Sequence, residues 1–164
     1  MALAATHIIG AIFILDLFRH YLFGKKQFPR YLLIVGGIAG LGPDIDIPLT
    51  WLINFVTGNN SNFHGTFTHS FLFVLIFFGI GALFHSKKKM KWAKIFYVIA
   101  AGWFIHLGLD WLFGEYKLLF WPFATPKYIF PQTNLWIYSA EIDAIVLVLW
   151  LLHEELHKRI RDYF

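Results

Sequence analysis

The sequence contains no cysteine, which excludes disulfides and thiolate zinc sites and leaves its redox compartment unmarked. Charge is scarce as well: 15% of the 164 residues are Asp, Glu, Lys or Arg, where a soluble domain carries about 25%. No glycine-rich phosphate loop, GxSxG elbow or GxSG serine-protease motif occurs. The opening stretch MALAATHIIG lacks the basic n-region of a secretory signal, so the first apolar run is expected to be retained.

Apolar residues fill the space the charges leave. They make up 58% of the chain, 20% of it is aromatic, and the mean hydropathy is +0.59. Runs of about twenty apolar residues point to an integral membrane protein, and the length allows a single domain, 1–164. The net charge of +4 does not imply a nucleic-acid partner. The basic residues stand at the ends of apolar runs, where membrane topology puts them.

Five crossings are expected. The first run covers Ala2 to Phe23, with His7 near its start and Asp16, Arg19 and His20 nearer its end; Lys25, Lys26, Pro29 and Arg30 follow as a basic connector. The second run, Tyr31 to Leu41, is short and rich in glycines that allow close helix contact in a bilayer. Gly42-Pro43 breaks it just before Asp44-Ile45-Asp46, and Pro48 to Val56 reads as a short helix or a re-entrant turn. A polar GNNSN loop leads to the third span, Thr68 to His85, with Thr68 as its expected N-cap. After Lys87, Lys88, Lys89, Lys91 and Lys94 comes the fourth, Trp92 to Phe113. Glu115 to Asn134, interrupted by Pro122, Pro126 and Pro131, reads as an ordered interfacial loop, and the last span runs from Leu135 to Leu152.

Placing the basic connectors on the inner side, as the positive-inside rule requires, sets the N-terminus outside and the C-terminus inside. All but Lys117 and Lys127 of the 14 lysines and arginines then fall inside. The same sorting gathers His7, Asp44, Asp46, His64, His69, His106, Asp110, Glu141 and Asp143 at the outer ends of spans or in outer loops. Ionisable residues at membrane depth are costly and usually functional. This convergence is the strongest signal in the chain.

The residue types point to a metal. His106 and Asp110, four apart, share a helix face. Imidazole and carboxylate ligands without sulfur suit zinc, manganese or iron. Asp44, His69, His106 and Asp110 are the first-choice ligands, with His7, Asp46 and His64 next. The number of ligands exceeds the need of one tetrahedral ion and fits a two-metal centre that activates a water. Asp46 is also a candidate bridging ligand or water-positioning base, His64 a candidate catalytic group, and either Glu141 or Asp143 could complete the site. Read singly, each residue has a plainer role: His7 as an interhelical hydrogen bonder, Asp44 and Asp46 as helix caps, Asp110 in a surface ion pair with Lys117.

A rival pattern lies in the charged tail, where His153-Glu154-Glu155-Leu156-His157 matches HExxH. His20 or His85 could add a third ligand, and Asp162 is the acidic residue with room downstream. An amphipathic helix end rich in Glu, His and Lys produces this short pattern easily, so catalysis is not assigned to it.

Taken together, Thr6-His7, Gly42-Pro43-Asp44-Ile45-Asp46, His64 through Thr68-His69-Ser70, and His106-Leu-Gly-Leu-Asp110 resemble the YdjM-like family, integral membrane proteins described as proposed metal-dependent hydrolases. Trp121-Pro122-Phe123 is similar to that family's pattern too. More distantly, Pro43-Asp44 and His106 with Asp110 resemble the zinc-dependent phospholipase C and single-strand nuclease superfamily, which also uses its mature N-terminal amine as a ligand. Nothing in the sequence gives Met1 that part, so two zinc ions are the expectation. The resemblance implies an all-α membrane bundle with a metal site at its outer rim. It also implies hydrolysis of a lipid phosphoester or another membrane-associated substrate. By its composition, the aromatic loop Tyr116 to Tyr138 is expected to line the substrate groove at headgroup level. A metal transporter, or a non-catalytic protein with a structural metal, would use the same ligands.

Overall fold

The computed structural model describes residues 4–133 and 135–156, and among them every regular element is helical. The first apolar run folds as α1 (Ala4–Phe18), continued by a π-helical turn over Arg19–Phe23. The second forms α2 (Tyr31–Ala39), after which a 3-10 turn over Pro43–Ile45 leads into α3 (Asp46–Thr57). Proline at the start of that turn forgoes an N–H that would have had no partner there, and α3 leaves the line of α2 at 50°. The stretch beginning at Pro48 is therefore a true helix, which starts already at Asp46.

The third and fourth runs form α4 (Phe71–Ser86) and α5 (Met90–Leu112), packed against each other over most of their length. Between α5 and α6 (Ser139–Leu156) the proline-interrupted loop stays irregular apart from 3-10 turns at Lys127–Ile129 and Leu135–Tyr138. α1 lies against α2, α5 and α6, and α2 against α5. Glycine allows the closest of these approaches. A Cβ on Gly102 of α5 would meet the backbone oxygen of Gly36 at 2.6 Å and Ala39 Cβ at 2.9 Å, an approach typical of helices that pack in lipid through small residues.

Many large apolar side chains point outward, among them Trp51, Phe55, Leu75 and Phe104. In water such exposure costs about 25 cal/mol per Å²; in hydrocarbon it costs nothing. Ala4–Phe23 and Met90–Leu112 are each long and apolar enough to cross a bilayer, and α2 with α3 makes a third span if the bent pair is counted as one. Length and composition thus support two or three of the five expected crossings. α4 is apolar but only 16 residues long, because its start at Phe71 gives the preceding residues to a 3-10 turn. α6 carries Glu141, Asp143, Glu154 and Glu155. The cap of α4 also differs from expectation. Ser70 occupies that position, its hydroxyl donating to Phe67 O at 2.8 Å, while the Thr68 hydroxyl is directed to Asp46.

Candidate metal centre

The start of α1, the break after α2, the approach to α4 and the end of α5 meet at one end of the bundle. They bring His7, Asp44, Asp46, His64, His69, His106 and Asp110 together. His7, Asp46, His69, His106 and Asp110 are at most 2% exposed. The Asp44 side chain, 21% exposed, is the open edge of the group.

Hydrogen bonding fixes which ring nitrogens face the centre. His106 Nδ1 lies 2.6 Å from Gly40 O and donates to it, leaving the Nε2 lone pair turned inward. His69 Nδ1 faces Asp46 Oδ2 at 3.1 Å, so its Nε2 turns inward as well. The two Nε2 atoms are 3.3 Å apart. Asp44 Oδ1 lies 3.4 Å from His69 Nε2 and 3.7 Å from His106 Nε2. Asp110 Oδ2 lies 3.5 Å and 3.2 Å from the same two atoms. These atoms thus make two triangles sharing the His69–His106 edge. Ligands at 2.0–2.1 Å from a tetrahedral zinc stand about 3.3 Å apart, so the spacing fits.

Lone pairs and carboxylate oxygens converging at such distances repel one another unless a cation lies between them. Asp110 Oδ2 is buried with no hydrogen bond among the described residues. Without a metal, a proton can take the cation's place. Burial alone would lower the pKa of His69, but its bonds to Asp44 and Asp46 outweigh that and raise it above the ordinary histidine value.

His7 adds a flank. Its ring stacks on His106 at 3.9 Å, and Nε2 lies 3.5 Å from Asp110 Oδ1, the oxygen that does not face His69. Its Nδ1 is buried without a hydrogen-bond partner among the described residues. Two groups of ligand atoms result, His7 with His106 and Asp110, and Asp44 with His64 and His69.

Asp46 has a different place. Its Oδ2 accepts from Gly65 N at 3.0 Å and Thr68 Oγ1 at 2.8 Å and faces His69 Nδ1; its Oδ1 faces His64 Nδ1 at 3.0 Å. With both oxygens engaged, Asp46 orients His64 and His69 from behind, as outer carboxylates do in metal sites. Gly65 sits at φ 77°, a left-handed conformation that suits glycine and aims its N–H at Asp46. Trp103 Nε1 donates to Thr68 O at 2.9 Å and ties this loop to α5.

Lys117 is the member that sequence reasoning missed. It is 3% exposed, and its Nζ lies 2.8 Å from His64 Nε2, 3.2 Å from Glu115 Oε2 and 3.6 Å from Asp110 Oδ2. The Asp110–Lys117 pair anticipated at the surface is therefore a buried one. A lysine in an apolar loop close after the HxxxD helix was the available signal.

Glu141, proposed as a catalytic group, is exposed on the first turn of α6. The acid drawn toward the cluster is Asp143, which accepts from Thr6, the residue before His7. Phase explains the difference, since residues two apart on a helix face different ways.

At the other end of α1, His153 and Glu154 are buried, and His153 Nδ1 lies 3.1 Å from Asp16 Oδ2. His20 joins them, whereas His85 lies beside Tyr97. His157, Asp162 and Met1 fall outside the described residues.

A family model described as YdjM inner membrane protein matches residues 1–160. No curated protein and no solved structure matches the chain.

Proposed function

The chain belongs to the YdjM inner membrane protein family, and from that premise we propose that it is a membrane-embedded, metal-dependent hydrolase. Its substrate on this reading is a phosphoester of a lipid or of another membrane-associated molecule. The observation that carries the reading is the convergence of His69 Nε2, His106 Nε2, Asp44 and Asp110 at metal-ligand spacing, with one partly open side. The adjacent ligand groups suit two ions, zinc by preference and manganese or iron by the same donor set. Such ions, when bound, supply a water of lowered pKa and charge neutralisation for an oxyanion.

The chain's own residues supply the rest. His64, held through Nδ1 by Asp46, presents Nε2 as a proton donor or acceptor at the open side, where its side chain is 17% exposed. Lys117 donates to that Nε2 at 2.8 Å and adds a positive charge beside it, which favours an anionic oxygen at the open side. The aromatic loop, with Tyr116, Phe120 and Phe123 exposed, offers an apolar wall to a substrate in the headgroup layer. In this proposal five crossings and the positive-inside rule put the N-terminus and the centre outside and the C-terminus inside.

Transport of the metal fits the interior less well. Ala11 and Leu15, 0% and 2% exposed, stand between His7 and Asp16 on α1 in a packed apolar layer rather than a polar path. The test is hydrolysis of lipid phosphoesters by protein in nanodiscs loaded with zinc, manganese or iron. His106→Ala should abolish both metal and activity. His64→Ala should keep the ion held through His7, His106 and Asp110 and lose about 10²–10⁴ in kcat. A metal-loaded protein inert toward phosphoester, ester and amide alike would make the centre structural.

A further inference from the structure

We propose that Asp16, His20 and His153 form a second divalent-cation site, separate from the first and located at the other end of α1. Thirteen residues part His7 from His20, about 20 Å along a helix, so the two centres cannot share an ion. One ligand atom from each of Asp16, His20 and His153 lies within 4.8 Å of the other two.

The surroundings are built for the task. Asp16 is 0% exposed and His153 8%. Arg19 lies 3.2 Å from Asp16 Oδ1 and is itself held by Phe28 O, to which its Nε donates at 2.9 Å. That leaves Asp16 Oδ2, fully buried and with no hydrogen bond among the described residues, 3.1 Å from His153 Nδ1. A carboxylate oxygen and an imidazole nitrogen at this distance have the spacing of two ligands of one ion. His20 Nδ1 lies 2.9 Å from the backbone oxygen of Asp16. That contact orients the ring by the same outer-shell device that orients His106. The π-helical turn begins at Arg19 and so sets the direction of His20; π turns recur at functional sites for this reason.

This arrangement also gives His153 a partner other than the one the HExxH spacing suggests. In this site the second imidazole comes from the continuation of α1. Two imidazoles and a carboxylate suit zinc, and manganese or iron less strongly. Because α6 packs on the bundle through α1, an ion here would pin the last helix in place.

The test uses the full chain in detergent, with the first centre removed by His69→Gln and His106→Gln. After loading with zinc and desalting, this background should retain about one ion per chain. Adding His153→Gln or Asp16→Asn should remove it, with cobalt substitution showing the matching loss of its visible absorption. In the otherwise native chain, His153→Gln alone should lower zinc by about one equivalent and speed hydrogen exchange in 139–156. If the first centre binds no metal, the native chain should still hold the ion that His153→Gln releases, so the two readings fail separately. Folded background protein without zinc, or zinc content indifferent to His153→Gln, would overturn the proposal.

Discussion

The fully buried carboxylate of Asp46 meets His64, Gly65, Thr68 and His69 at once. Asp46→Asn replaces an acceptor by a donor opposite the two Nδ1 atoms and favours the tautomers that turn N–H groups toward the centre. Metal affinity should fall about 10–100-fold while some binding persists, measured by competition with a chromophoric chelator. An unchanged affinity would leave Asp46 a simple loop anchor. His69 adds a pH dependence. Its folded pKa is raised, so the charged imidazole stabilises the metal-free protein fully below the ordinary histidine pKa, and that stability is lost as pH rises through the folded value. A metal must displace this proton. Its apparent affinity should therefore drop as pH falls below the raised pKa, about tenfold per unit for one proton released, and His69→Gln should flatten that slope. The members of the cluster were legible from residue type and spacing, His106 and Asp110 by their shared face and Asp44 by the break it follows. The parts of Asp46, Thr68 and Lys117 were not, because they depend on which nitrogen of each imidazole is already occupied, a property of the folded network and not of the chain.

Helix placement depends on glycine at the contact between α1 and the end of α2. A Cβ on Gly40 would meet His7 O at 2.7 Å and Ala11 Cβ at 3.0 Å, and backbone oxygen cannot swing aside. The same residue supplies the carbonyl that orients His106. Gly40→Ala should therefore cost about 1–3 kcal/mol and weaken metal binding, whereas Gly108→Ala on α5, with open space around its Cβ, should leave both near the native level. Thermal melting and zinc content of the two variants check this; equal behaviour would mean that the helices part without disturbing the centre. Apolar runs located each helix to within a few residues, since burial in lipid follows composition. The π turn after α1 and the 3-10 turns before α3 and α4 were not legible: they adjust side-chain direction by a fraction of a turn in response to packing.

For the molecule as a whole, the distribution of charge and the position of the two polar clusters make one connected claim about topology. The cluster around His106 lies at the α1 N-terminus and the α5 C-terminus, and the cluster around Asp16 at the opposite end of α1, beside the connector that carries Lys25, Lys26 and Arg30. If α1 and α5 both cross the bilayer, the first cluster and the basic connectors must lie on opposite sides, and the connectors prefer the inner one. The absence of native cysteine makes this testable without a background signal. Single cysteines at Asn59, in the polar loop after α3, and at Lys88, between α4 and α5, should behave oppositely toward a membrane-impermeant maleimide. Asn59→Cys should be labelled in intact spheroplasts, and Lys88→Cys only after the membrane is opened. The same reagent on Gln27→Cys, in the first connector, should follow Lys88→Cys, because both stand among basic residues that stay on the inner side. Labelling of Asn59→Cys and Lys88→Cys from one side would make α4 a helix that enters and does not cross. It would remove the α5 crossing as well, and the outward position of the first centre would then rest on α1 and Gln27→Cys alone. Labelling of Gln27→Cys from outside would invert the whole arrangement and direct the search for a substrate to the inner leaflet.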